Sequence, residues 1–339
     1  MNKQTIASLV IFKALIFFVG GLAYAQSGHF SPGSEQIRDY ILGGPGIGIS
    51  FYNYWYNSDR YNDNQGNKAN TVLIGPDGKD TLDANVDFKN YSLSPEFTWI
   101  TKLKGSNIKY SAVIQPTVAT ASVGAALKTV HPEGFGAQQS EVGMGDLFVE
   151  PLALGLTKSH WDFALAYGFY APTGKYNIDS ANLPVSGMVK IVAPDNIGLG
   201  YWTNQFQGGV AWYPWSDQRL AFVSALTYEI NGNQKGFDLT PGQNLSFNWG
   251  VSQYLSLNKK KSLQLTIGIT GYGSWQVSPD KGADATNTNE FDRVQAIGGQ
   301  VGLNYQPFAL SMSFHGFKQF NARNLFEGES YGLTIAKVF

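Results

Sequence analysis

Residues 145–176 read GDLFVEPLALGLTKSHWDFALAYGFYAPTGKY. Two apolar runs flank the polar stop TKSH, and Asp146, Glu150 and Asp162 thread through them. A membrane helix needs roughly 20 apolar residues in succession, and neither run supplies them. The spacing is different. Trp161, Phe163, Leu165, Tyr167, Phe169 and Ala171 fall on one face, with Asp162, Ala164, Ala166, Gly168 and Tyr170 on the other. A period of two predicts a strand with one greasy face. In 146–153, Leu147, Val149, Pro151 and Ala153 share the face predicted to touch apolar surroundings. Asp146, Phe148, Glu150 and Leu152 share the opposite one, and TKSH becomes a hairpin turn.

The same period recurs along the chain. Strands are predicted near 45–57, 87–101, 107–121, 145–157, 160–171, 196–213, 219–230, 243–257, 262–277, 292–306, 308–320 and 327–339. Their number is even, as in single-chain bacterial barrels. Connections alternate in length. KLKGSN, TKSH, PWSDQR, the NKKK region and QPF are short, whereas 58–86 is long and rich in Asn, Asp and Gly. Short turns at one end and long loops at the other predict a transmembrane β-barrel, an all-β antiparallel fold of 12 strands. The short end is periplasmic, and both chain termini are expected there.

Composition agrees. Charged residues make up 14% of the 339, against roughly 25% in soluble domains. The formal net charge is −1. No basic stripe exists, so nucleic acid is not expected as a partner. Lys3, an apolar stretch from Ile6 to Gly21 and Ala23-Tyr24-Ala25 predict a signal peptide over 1–25. There is no cysteine, which excludes a lipoprotein anchor. The expected division is therefore 1–25 signal peptide, 26–44 periplasmic or plug segment, and 45–339 barrel. Trp99, Trp161, Tyr201, Trp212, Tyr213 and Trp215 lie near strand ends, where an aromatic girdle sits. The expected location is the outer membrane of a Gram-negative bacterium, in contact with its lipids and lipopolysaccharide. The terminal Phe339 strand resembles the signal read by the barrel assembly machinery.

The central stretch also resembles a known family. Gly143, Gly145, Asp146, Leu147, Val149, Pro151 and Leu152, then Trp161, Asp162, Tyr167, Gly168, Phe169, Tyr170, Pro172, Thr173, Gly174 and Tyr176, match outer-membrane proteins grouped under the meta-pathway of phenol degradation. His29, Pro32, Gly33, Pro45 and Gly46 match the family's start. The resemblance implies a transmembrane barrel associated with uptake or breakdown of hydrophobic and aromatic compounds, and brings no defined catalytic residues.

Parity selects the candidate site. Asp146, Glu150, Asp162, Glu96, Glu229, Lys109 and Tyr170 are predicted to face the lumen, because a charge facing lipid costs on the order of 2–4 kcal/mol near the midplane. They either shape a solute path or form a structural polar network. His315 shares a predicted face with Ser311 and Ser313. Within 26–44, His29, Arg38 and Tyr40 are candidate plug residues, with Gln36, Ile37, Tyr40 and Ile41 on one side of a short helix. The four histidines, His29, His131, His160 and His315, have no zinc-protease spacing, and no G-x-S-x-G elbow occurs. Neither catalytic residues, cofactor nor metal are expected. The function expected is a channel or transporter for small solutes. The alternatives are a structural or adhesive barrel with a closed lumen, and an outer-membrane enzyme.

Overall fold

The computed structural model describes residues 28–69, 71–74, 80–128, 135–183, 187–192, 196–285 and 291–339. The predicted signal peptide and His131 lie outside them. No helix among the described residues is long and apolar enough to cross a membrane.

The strands are β1 (Gly46–Ser58), β2 (Thr71–Ile74), β3 (Asp80–Lys102), β4 (Ile108–Gln115), β5 (Val118–Lys128), β6 (Phe135–Met144), β7 (Leu147–Lys158) and β8 (Trp161–Ala171). They continue as β9 (Ile178–Leu183), β10 (Gly187–Val192), β11 (Thr203–Trp212), β12 (Leu220–Asn231), β13 (Asn244–Ser256), β14 (Leu263–Gln276), β15 (Arg293–Tyr305), β16 (Leu310–Arg323) and β17 (Glu329–Val338). Antiparallel pairing runs from β1 through β17 and back along the chain to β3. β1 then pairs with β3, from Gly46 opposite Ile100 to Ser58 opposite Phe88, and closes the ring.

Twelve staves form this closed antiparallel barrel, two of them built from broken strands. β4 pairs with the inner part of β3 and β5 with its outer part, Asp83–Leu93. The break falls at Pro116-Thr117, because proline has no N–H for the ladder. The facing stave is broken at Gly145-Asp146, between β6 and β7, and Gly145 N donates to Thr117 O at 2.8 Å across the two breaks. β2 pairs with the outer end of β3, and β9 with β10 in the connection between β8 and β11. The sixth stave starts at Thr203, later than the predicted 196, since Gly198 and Gly200 interrupt extended pairing there.

Alternation carries the packing. Phe51, Trp99, Ile114, Leu165, Phe206, Leu226, Ile269, Val301, Met312 and Ile335 are exposed on the outer wall. Their strand neighbours Tyr52, Ser111, Thr227, Ser252, Thr270, Ser313 and Thr334 are buried inside. Trp99, Trp161, Trp212 and Trp215 are exposed at the short-turn end, with Trp161 and Trp212 ring centroids 6.3 Å apart. Tyr201 and Tyr213 leave the predicted girdle. Both are buried, and Tyr213 OH donates to Asp162 Oδ2 at 2.7 Å.

One face assignment is corrected. A β-bulge falls between Val149 and Leu152, opposite a second irregularity between Ser111 and Val113. One extra residue on a strand inverts the parity that follows it. Phe148 stays inside and Pro151 outside, but Leu152 turns outward at 43% exposure and Ala153 turns inward at 1%. Pro151, in mid-strand, is the sequence mark of the bulge.

Leu165 is the most exposed aliphatic side chain of β8, at 69%. Leu165→Arg is expected to destabilise the folded barrel by about 2–4 kcal/mol, read by urea titration in lipid vesicles. The inward neighbour replacement Ala166→Ser should cost far less.

Candidate functional site

The leading segment, residues 28–45, runs through the lumen. His29 lies near the outer ends of β8 and β11, against Tyr170 and Thr203. Leu42 and Gly43 lie at the opposite end, where their carbonyls accept from Lys109 Nζ. Residue 28 therefore sits in the outer half of the barrel rather than at the periplasmic rim. The C-terminus keeps its predicted place, with Phe339 N donating to Ile47 O at 2.8 Å.

The segment has no helix. Two turns replace it, with Ser34 N donating to Ser31 O and Asp39 N to Gln36 O, each at 3.1 Å. These turns expose backbone amides, and wall side chains accept from them. Phe30 N donates to Glu229 Oε1 at 2.8 Å, Gly33 N to Asn248 Oδ1 at 3.3 Å and Ile37 N to Gln300 Oε1 at 2.9 Å. Phe30, Ile37 and Tyr40 pack on Ala211, Ala221, Val223 and Ala225. The wall is thin where the segment touches it. A Cβ at Gly209 would collide with the Tyr40 carbonyl, and one at Gly250 with the Ile37 side chain. Arg38 donates Nε to Ser252 Oγ at 2.8 Å and Nη1 to Gln218 O at 3.0 Å, over the Tyr254 ring at 3.9 Å.

The upper anchor is Asp146. Its Oδ1 accepts from Gly174 N and its Oδ2 from Leu199 N, both at 2.8 Å. Oδ2 also meets His29 Nε2 at 2.9 Å, while His29 Nδ1 lies 2.8 Å from Thr203 Oγ1. The carboxylate can only accept, so Nε2 carries the proton. Burial holds the imidazole below its ordinary pKa, against the opposing pull of Asp146. Gly174 and Gly198 pack so closely that a Cβ on either would meet the other's backbone. The motif residues Gly145, Asp146 and Gly174 thus tie the leading segment to the loop after β8. Tyr170 stacks on His29 at 4.7 Å.

Thr203, His29 and Asp146 line up as hydroxyl, imidazole and carboxylate, the order of a hydrolase triad. Thr203 is wholly buried, with its Oγ1 also 2.7 Å from Asn231 Oδ1. Among the described residues, no group of three His, Asp or Glu side chains is arranged to hold a metal.

The remaining candidates separate. Glu229 is buried beneath the leading segment, Asp162 beneath Tyr213, and His315 between Phe317 and Gly332. Glu96 and Glu150 face open space. A cavity of about 120 Å³ in the outer half is lined by His29, Tyr54, Phe88, Asp146 and Tyr170 among others. A second, of about 280 Å³, reaches from Glu150 to Gly46 and Lys337 at the periplasmic end. Glu35, Tyr52, Glu96, Phe148 and Gln205 line both. Both cavities lie against β1, β3, β7 and β11, and the middle of the leading segment packs on β11–β15. Glu35 and Asp39 were not singled out from sequence. The signal was present as two carboxylates four residues apart, in SEQIRDY.

The family match and one solved channel agree with this architecture. The family described as "Putative MetA-pathway of phenol degradation" matches residues 58–335, and the chain belongs to it. An outer membrane channel from Pseudomonas putida F1 is similar at TM-score 0.55 and 14% identity, over 92% of this chain and all of that one. The beta domain of the Bordetella autotransporter BrkA follows at TM-score 0.49 and 9% identity, over 87% of this chain and all of that one. A Pseudomonas aeruginosa FadL homologue reaches TM-score 0.39 at 11% identity, over 95% and 98%. A search of curated proteins finds no match. The protein is an outer-membrane β-barrel.

Two outcomes follow. Asp146→Ala leaves His29 and two loop amides without their acceptor, and should cost on the order of 3–5 kcal/mol in urea unfolding. Cleavage of the leading segment by added protease should accelerate with it. Asp39 gives a pH dependence. Burial raises its carboxyl from 3.8 to about 6, although Gln36 N and Tyr52 OH both donate to it. The folded form holds the proton longer than the unfolded chain, so stability is greatest below about 4 and falls as pH rises through about 6. Protection of the leading segment from protease should decline across that window, and Asp39→Asn should flatten the decline.

Proposed function

We propose that this barrel is a passive channel for small solutes, hydrophobic or aromatic ones in particular. The observation that carries the reading is the pair of cavities meeting at Glu35, Tyr52, Glu96, Phe148 and Gln205. Together they extend from the outer half of the lumen to the periplasmic end of β1 and β17. Aromatic side chains line the outer cavity, as in pockets that take ring-bearing ligands. The family's description supports the solute class, and the likeness to a P. putida outer membrane channel supports passage.

Residues 28–44 act as a plug that narrows the lumen. Twelve strands enclose more space than side chains fill, and less than the aqueous pore of a 16- to 18-stranded porin. The segment occupies the surplus. Glu96, Glu150 and Tyr170 belong to the path, while Asp146, Glu229 and Lys109 hold the plug. Insertion proceeds through the assembly machinery reading the Phe339 strand, and the outer wall meets lipid and lipopolysaccharide.

The number of bonds holding the segment also favours a second reading, a closed barrel whose loops do the work. Planar-bilayer recording separates the two. The full chain should show a small, steady conductance, and deletion of residues 28–44 should raise it several-fold. Conductance only after the deletion would favour the closed barrel. None in either form would overturn the channel.

A further inference from the structure

Glu35 and Asp162 each keep a buried carboxyl oxygen without a partner, and of the two only Glu35 lines the cavities. It lies where the two cavities meet, just below the Ser31–Ser34 turn. Its Oε2 is buried and has no hydrogen-bond partner among the described residues. Two neighbouring carboxylates are committed elsewhere. Asp39 accepts from Gln36 N and Tyr52 OH, and Glu96 accepts from Thr98 Oγ1 at 2.9 Å. Arg38 is turned to the opposite wall, onto Ser252 and Tyr254. A buried acceptor left open costs free energy, and a fold that retains one leaves room for a donor from outside.

The space beside Glu35 defines that donor. No lysine or arginine lines the outer cavity, and Tyr54, Tyr56, Phe88, Phe148 and Tyr170 do. Its volume, about 120 Å³, is of the order of the roughly 150 Å³ that holds one benzene ring elsewhere. A carboxylate at one end of an aromatic box suits a cation attached to an apolar body, since ring faces attract positive charge.

We propose that the outer cavity is a binding site for a small organic cation carrying one aromatic ring or an apolar body of similar size, its ammonium seated on Glu35. This names the solute class for the path proposed above and rests on that path only for passage, not for binding.

The electrostatics set a proton exchange. Burial first, then the nearby Asp39, Glu96 and Glu150, raise the Glu35 carboxyl well above its ordinary value. Arg38 is the one guanidinium on the same segment, and Tyr52 faces it from β1. A carboxyl raised in this way keeps its proton to higher pH than a free glutamate. An arriving ammonium takes its place, leaving a carboxylate–ammonium pair and releasing one proton to water. Affinity should rise with pH while Glu35 is protonated, by up to about tenfold per pH unit.

The test is calorimetric titration of the purified full-length barrel in detergent with benzylammonium, benzyl alcohol and benzoate. Benzylammonium should bind at least tenfold tighter than either of the others, and more tightly at higher pH. Glu35→Gln should lose that preference and the pH slope while its melting temperature stays level or rises. Tyr54→Leu, on the facing wall, should weaken benzylammonium several-fold and keep the slope. Equal binding of benzoate, or unchanged binding in Glu35→Gln, overturns the proposal. So does unchanged binding in Tyr54→Leu if Glu35→Gln fails to fold. Binding without conductance would sink the channel and leave this site standing. Conductance without binding would do the reverse.

Discussion

Hydrocarbon offers no hydrogen bond. Every N–H and C=O in the membrane must find its partner within the protein, and for strands that means a ring without an edge. The pairing of β1 with β3, thirteen residues long, completes that ring. Much of the remainder follows from it. Once the wall is closed and greasy outside, alternate side chains are driven inward. The lumen then collects Asn, Gln, Ser, Thr and carboxylates, each needing its own partner.

The leading segment answers that need. Backbone amides that have no helix to satisfy them donate to Glu229, Asn248 and Gln300. Wall and segment solve each other's polar deficit. Glycine at 209 and 250 lets the segment approach β11 and β13, and space is left towards β1 and β3. The asymmetry leaves the two cavities beside the segment. A segment centred in the lumen would have left only thin gaps around its circumference.

Much of this was legible in the sequence because a strand's period is short and repeated. Twelve alternating runs and alternating loop lengths give the staves, their orientation and the inward set. The break at Pro116-Thr117 is not legible, since the alternation over 107–121 runs through it; at Gly145-Asp146 the sequence shows only a strand beginning at 145, and β6, with Val142 and Met144 exposed on the other parity, falls outside it. Ala153 and Leu152 were misplaced because parity counts residues and a bulge adds one. Tyr201 and Tyr213 were misplaced because an aromatic near a strand end suits a lipid interface and a buried hydrogen bond equally well. The candidate site was legible only as far as parity reaches. Glu96 and Glu150 follow from it, but Glu35 and Asp39 sit in a segment without period. The family motif was visible as a string, while its meaning, Asp146 holding three donors from two distant segments, required the fold.

The central proposal is a lumen with one open side reached from both ends. The chain has no native cysteine, so single cysteines report access without background. Ser92 lines the outer cavity and Ser50 the inner one. Ser92→Cys should react with a small water-soluble thiol reagent added outside the cell, Ser50→Cys with reagent from the periplasmic side, and modification at either should reduce current in a bilayer. Failure of both cysteines to react in the folded, full-length barrel would contradict the open path.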